Sequence, residues 1–88
     1  MILSSQTRRP RTEGDNKDLA RIGAEIRAVR EQLGLSQEEL AHRADMHRTY
    51  VGSIERGERN MSMLNLIAIA RALGVRVGDL VPPGDDQR

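Results

Sequence analysis

The sequence predicts an all-α protein, a compact five-helix bundle, and three observations carry that expectation. Apolar residues recur at alternating three- and four-residue steps, Ser or Gly stands at the edges of most of these stripes, and strand-favouring runs are absent. Tyr50 is the one aromatic residue, so Leu, Ile, Val, Met and Ala must fill the interior.

Leu19, Ile22, Ile26, Val29 and Leu33 form the stripe of a first amphipathic helix that ends at Gly34. Ser36 with Glu39 three residues on is a capping box, and Leu35 and Leu40 stand at hydrophobic-staple spacing around it, so a second helix runs from Gln37 to about Ala44. The same signature returns with Met46 before a cap at His47 and Val51 at the staple position. A third helix therefore runs from Arg48 to about Arg56 and stops at Gly57, with Asp45 and Met46 as the turn before it. Ser62 caps a fourth helix whose core face is Leu66, Ile69, Ala70 and Leu73, and Gly74 ends it. Val75, Val77, Leu80 and Val81 make a short fifth segment, poorly capped because Arg76 stands at the cap position.

Residues 1–16 and 82–88 lack any apolar period and read as flexible tails around one domain at 17–81. With 88 residues there is a single core, near the size at which one core is marginal. The absence of Cys excludes disulfides and thiolate metal sites, and the chain carries neither a signal-peptide pattern nor a long apolar span, which points to a cytoplasmic protein. A net charge of +1 is modest for a nucleic-acid binder. Arg supplies 13 of the 14 basic residues, which suits bidentate contacts to phosphate or guanine, although a GC-rich genome gives the same bias.

The second and third helices, separated by a tight turn, form a helix-turn-helix, in which the later helix reads the DNA major groove. From about Asp18 to Val81 the chain resembles the phage-repressor and Cro-type helix-turn-helix superfamily, the xenobiotic-response-element type. Within it, H-R-T-Y-V-G-S-I-E-R-G-E-R-N at positions 47–60 is similar to the controller proteins of restriction-modification systems. The resemblance implies a transcriptional regulator that binds a pseudo-palindromic operator on double-stranded DNA as a homodimer; RNA polymerase is a candidate further partner, and no cofactor, membrane or small-molecule substrate is expected. Two positions depart from the family pattern. Asp45 replaces the usual turn glycine, which is tolerable because Asp accepts a left-handed backbone better than most residues. Gly52 lies inside the recognition helix, at a cost of roughly 1 kcal/mol relative to Ala; it either lets the helix approach DNA closely or is a tolerated surface glycine.

Val51 and Ile54 face inward, leaving Arg48, Thr49, Gly52, Ser53 and Arg56 on the outer face. Arg48, Thr49, Tyr50 and Ser53 are the expected base contacts, with Arg48 bidentate to a guanine edge and the Tyr50 ring equally able to cover the turn. Gln37, at the start of its helix, is an expected phosphate contact, joined by Arg43 and, on the resemblance, by Arg56, Arg59 and Asn60. Arg8, Arg9 and Arg11 could enter a minor groove, but a solvated tail is the favoured reading. Glu55 is awkward beside phosphate unless it is engaged, and the resemblance places Arg30 against it as a structural ion pair. Met63, Leu64, Ile67, Val77, Leu80 and Val81 exceed what one small core absorbs and are the expected dimer interface.

An enzyme is disfavoured: His42 and His47 are five apart and off one helical face, and there is no nucleophilic Cys or glycine-rich phosphate loop. Antitoxins and adaptors use the same fold to present apolar helices to a protein partner, and that alternative stays open at this point.

Overall fold

The computed structural model describes residues 16–82. The basic tail residues Arg8, Arg9 and Arg11 and the C-terminal residues after position 82 lie outside the described residues. Five helices follow one another: α1 (Lys17–Gln32), α2 (Gln37–Ala44), α3 (Arg48–Glu55), α4 (Met63–Leu73) and α5 (Val77–Leu80). No strand occurs among the described residues.

Each helix begins and ends for a local reason. Asn16, assigned to the tail from sequence, is in fact the α1 N-cap: its Oδ1 accepts from the amides of Asp18 at 2.8 Å and Leu19 at 3.3 Å. Ser36 and Glu39 close the α2 capping box, the Glu39 amide donating to Ser36 Oγ at 2.9 Å and the Ser36 amide to Glu39 Oε1 at 2.8 Å. The Asn65 amide donates to Ser62 Oγ at 3.1 Å at the start of α4. Capping of α5 differs from expectation, because the Asp79 carboxylate accepts from the Arg76 amide at 2.9 Å and so supplies what the Arg76 side chain does not.

The first four helices all end on a left-handed residue followed by an amide that reaches back five positions, as Met46 does to the Ala41 carbonyl at 2.8 Å. Asp45 holds that left-handed position after α2, at φ 59°. Gly57 holds it after α3 at φ 74°, and there the lack of a side chain matters twice. A Cβ on Gly57 would stand 2.7 Å from the Ala20 Cα, so a larger residue would push the end of α3 off α1.

The Glu39 carboxyl is held below the usual carboxylate range, first by the backbone hydrogen bond from Ser36 and next by the Ser36 side chain. A folded-state pKa below the unfolded one contributes stability that is present above the unfolded value and is lost as pH falls through the folded value. Glu39→Gln should therefore melt below the wild type near neutral pH and converge with it in acid. A gap in melting temperature that stays constant from about pH 7 to about pH 3 would show that the carboxylate charge contributes nothing to the cap.

Helix α3 is packed between α1 and α2; α4 lies on α2, and α5 closes against α1 and α4. Ile26, Leu40, Val51, Ile54, Ile69 and Leu80 are the large side chains fully enclosed at the centre. Each contributes about 1.5–3 kcal/mol of apolar burial. On α1 the buried positions are Leu19, Gly23, Ile26 and Arg30, with Ile22 and Val29 only half-buried. Leu33, expected at the end of that stripe, is instead 50% exposed, because the helix turns its Arg30 side inward toward α3. Gly23 is the close-contact point: a Cβ there would collide with the Ile54 carbonyl oxygen.

Candidate nucleic-acid interface

Burying Val51 and Ile54 completely leaves the first turn of α3 projecting Arg48 and Thr49 into solvent. His47 has the extended backbone of an N-cap, and its carbonyl accepts from the amides of Tyr50 and Val51 at 3.1 Å, but its side chain makes no capping bond. The start of α3 therefore keeps donors that an anion can accept from.

The outer face is narrower than the helical wheel implies. Ser53, expected on the outer face, is instead buried, and its hydroxyl donates to the Tyr50 carbonyl at 2.8 Å, turning the side chain back on its own helix. Gly52 is buried as well, under the side chains of Gln37 and Arg56. Both departures have one cause: α1 and α2 flank α3, so more of its circumference is covered than two inward residues reveal. Tyr50 is half-buried against the core, and its Oη accepts from Asn65 Nδ2 on α4 at 2.9 Å. The phenol keeps its own proton for a further acceptor.

Behind this face, three helices meet in one polar cluster. The Arg30 guanidinium donates through Nε to Glu55 Oε2 at 2.7 Å and through Nη2 to Glu55 Oε1 at 3.0 Å. Its Nη1 donates to the Leu35 carbonyl at 2.8 Å, tying the loop between α1 and α2 into the cluster. Gln37 Nε2 donates to Glu55 Oε1 at 2.9 Å. The side chains of Arg30 and Glu55 are 10% and 2% exposed, so the pair is held away from solvent screening. The Arg30 pKa is raised, chiefly by the hydrogen bonds to Glu55 and against the opposing effect of burial. With Glu55 engaged on both oxygens, its charge is spent inside the protein rather than against a phosphate. Among the described residues no buried side-chain polar atom lacks a partner.

Arg43, Arg59 and Asn60 are exposed, as phosphate contacts would be. Arg56 is exposed too and pairs with Glu58 at 3.0 Å; both members are more than half solvent-accessible, a weak arrangement that a phosphate can displace. Arg48, Gln37, Ser36, Glu38 and Arg30 line a shallow depression between the starts of α2 and α3.

The expected dimer residues divide. Met63 and Leu64 on α4 are 63% and 77% exposed, and Val81 is 40% exposed beyond α5. Ile67 and Val77 are half-buried, with Val77 packed against the core. Leu80 is corrected: it is 1% exposed and belongs to the core of this chain, because it is the side chain that the single turn of α5 buries completely where that turn closes against α1 and α4. Asn65 was not singled out from sequence, and its adjacency to Leu64 and Leu66 is the only local sign that one polar residue of α4 faces α3.

The helix-turn-helix family profile matches residues 26–80. Control protein C.BamHI of Bacillus amyloliquefaciens is 47% identical over 61 residues, covering 68% of this chain and 75% of that protein. The crystal structure of the restriction-modification controller protein C.AhdI from Aeromonas hydrophila superposes with a TM-score of 0.72 at 42% identity, over 74% of this chain and 98% of that one. The controller C.Esp1396I, solved as a tetramer in complex with its natural 35 base-pair operator, is 32% identical with a TM-score of 0.68, over 70% of this chain and 82% of that one. The chain belongs to the helix-turn-helix family of DNA-binding transcription regulators, a family of regulators and not of enzymes. Among the described residues no helix is long and apolar enough to cross a membrane.

Proposed function

We propose that this chain is a controller-type regulator that binds a pseudo-palindromic operator as a homodimer, with α3 in the major groove of each half-site. The single observation that carries the reading is the first turn of α3, where Arg48 and Thr49 stand exposed over a fully buried Val51 and Ile54 on a helix start that no side chain caps. In this reading Arg48 makes a bidentate contact to guanine, Thr49 and the Tyr50 hydroxyl reach base edges or methyl groups, and Gln37, Arg43, Arg56, Arg59 and Asn60 hold phosphates on either side. The likeness to controllers solved alone and on operator DNA supports it.

Two recognition helices are needed because one reads only a few base pairs, and a two-fold axis must set them about 34 Å apart. Met63, Leu64 and Val81, apolar and exposed on the α4 and α5 side, suit that axis. Selection of bound sites from a random duplex pool at stated salt should return a two-fold symmetric sequence. On the selected site Arg48→Ala should lose about 1–3 kcal/mol and relax the preference at one base pair per half-site. An equal loss on selected and random duplex would move Arg48 to a phosphate, and no loss on either would reject its role.

A further inference from the structure

Gly52 sits in mid-helix with an ordinary helical backbone, so no left-handed conformation demands a glycine there. What distinguishes the position is what covers it. A Cβ on Gly52 would stand 3.3 Å from Gln37 Oε1 and 3.2 Å from Arg56 Nη1, closer than a methyl group normally approaches either atom. Gln37 crosses this bare stretch of α3 to reach Glu55 Oε1 at 2.9 Å. A carboxylate only accepts, so the Gln37 carboxamide must face Glu55 with its nitrogen, and one of its two N–H groups remains for another acceptor.

We propose that Gly52 is a positioning residue: the missing side chain is the berth in which the Gln37 carboxamide and the Arg56 guanidinium lie. Through Gln37 the berth joins the start of α2 to the Arg30 and Glu55 pair, and through Arg56 it aligns the end of α3 with the same face. Two donors that belong to different helices are thereby held side by side before any phosphate arrives, which lowers the ordering cost of binding. The inference rests on the reading of α3 as the DNA-facing helix.

The test is Gly52→Ala in the full chain, alone and combined with Gln37→Ala and Arg56→Ala together. Alanine favours helix over glycine, so the variant should melt at or above the wild-type temperature. Its Kd on the selected duplex should nonetheless rise about fivefold or more, as expected when pre-positioned donors are displaced. In the background that lacks both donors, Gly52→Ala should change Kd by less than about twofold, because the groups it displaces are already gone. Without DNA, the Gln37 side-chain amide resonances should shift and lose protection from exchange in Gly52→Ala. Wild-type affinity in Gly52→Ala would overturn the proposal, as would a further loss in the background that lacks both donors, since the methyl group would then obstruct DNA directly. Unmoved Gln37 resonances would overturn it as well. A wild-type chain that binds no duplex would defeat the DNA reading itself, while the resonances still decide whether Gly52 holds Gln37.

Discussion

Arg30→Met should destabilise the fold by about 3–5 kcal/mol, the usual consequence of stranding one member of a buried ion pair. The Glu55 side chain is 2% exposed and would keep only the Gln37 donor, while the Leu35 carbonyl would lose its partner. Against a total stability of roughly 5–15 kcal/mol for an ordinary domain, that loss takes a small one close to unfolding. Urea titration of the far-ultraviolet dichroism measures it. The paired replacement, Arg30→Met with Glu55→Leu, should recover most of the stability, because two apolar side chains of similar bulk need no charge compensation. It should not recover DNA affinity, since Gln37 would have nothing to anchor it across Gly52. A loss below about 1 kcal/mol in the single variant would mean that Glu55 finds water by a small movement, as exposed pairs do. Recovery of affinity along with stability would show that the pair matters for folding alone.

What could be read from the sequence was what short-range chemistry decides. Ser36 with Glu39, Ser62, and Gly57 and Gly74 mark helix ends through contacts within a turn, and the helices lie where those residues put them. Asp45 adopts the left-handed backbone for the same local reason. The errors fall where two elements meet. Ser53 looked outward because an isolated helix has one inner face, but α3 has a neighbour on each of two sides. Leu80 looked like surplus because a one-turn helix gives no period from which to find its inner side. Contacts such as Gly23 with the Ile54 carbonyl, or Asn65 with the Tyr50 hydroxyl, depend on crossing angles that no spacing encodes. The cluster of Arg30, Gln37 and Glu55 is intermediate. A lone acid on a helix expected to face phosphate signals that it has a partner, yet nothing local says that Gln37 shares it.

Leu64→Asp should abolish dimerisation and with it tight operator binding, leaving a folded monomer. Leu64 is 77% exposed in the single chain, so an aspartate there meets only water until a second subunit approaches, and the core beneath, from Leu66 to Leu73, is untouched. In a two-fold interface each substitution counts twice, since the same residue lies on both subunits. Removing a central apolar anchor costs about 2 kcal/mol or more, and burying an unpaired charge in its place adds to that. Sedimentation at micromolar concentration should therefore move from dimer to monomer, while the dichroism spectrum stays that of a helical protein. Affinity for a full operator should fall steeply, and affinity for an isolated half-site should not, because Arg48 and the residues proposed to hold phosphates are untouched. That difference separates a lost partner from a damaged reading helix. A variant that stays dimeric with unchanged operator affinity would remove Leu64 from the interface, and a wild type that is monomeric both free and on a full operator would remove the homodimer from the mechanism.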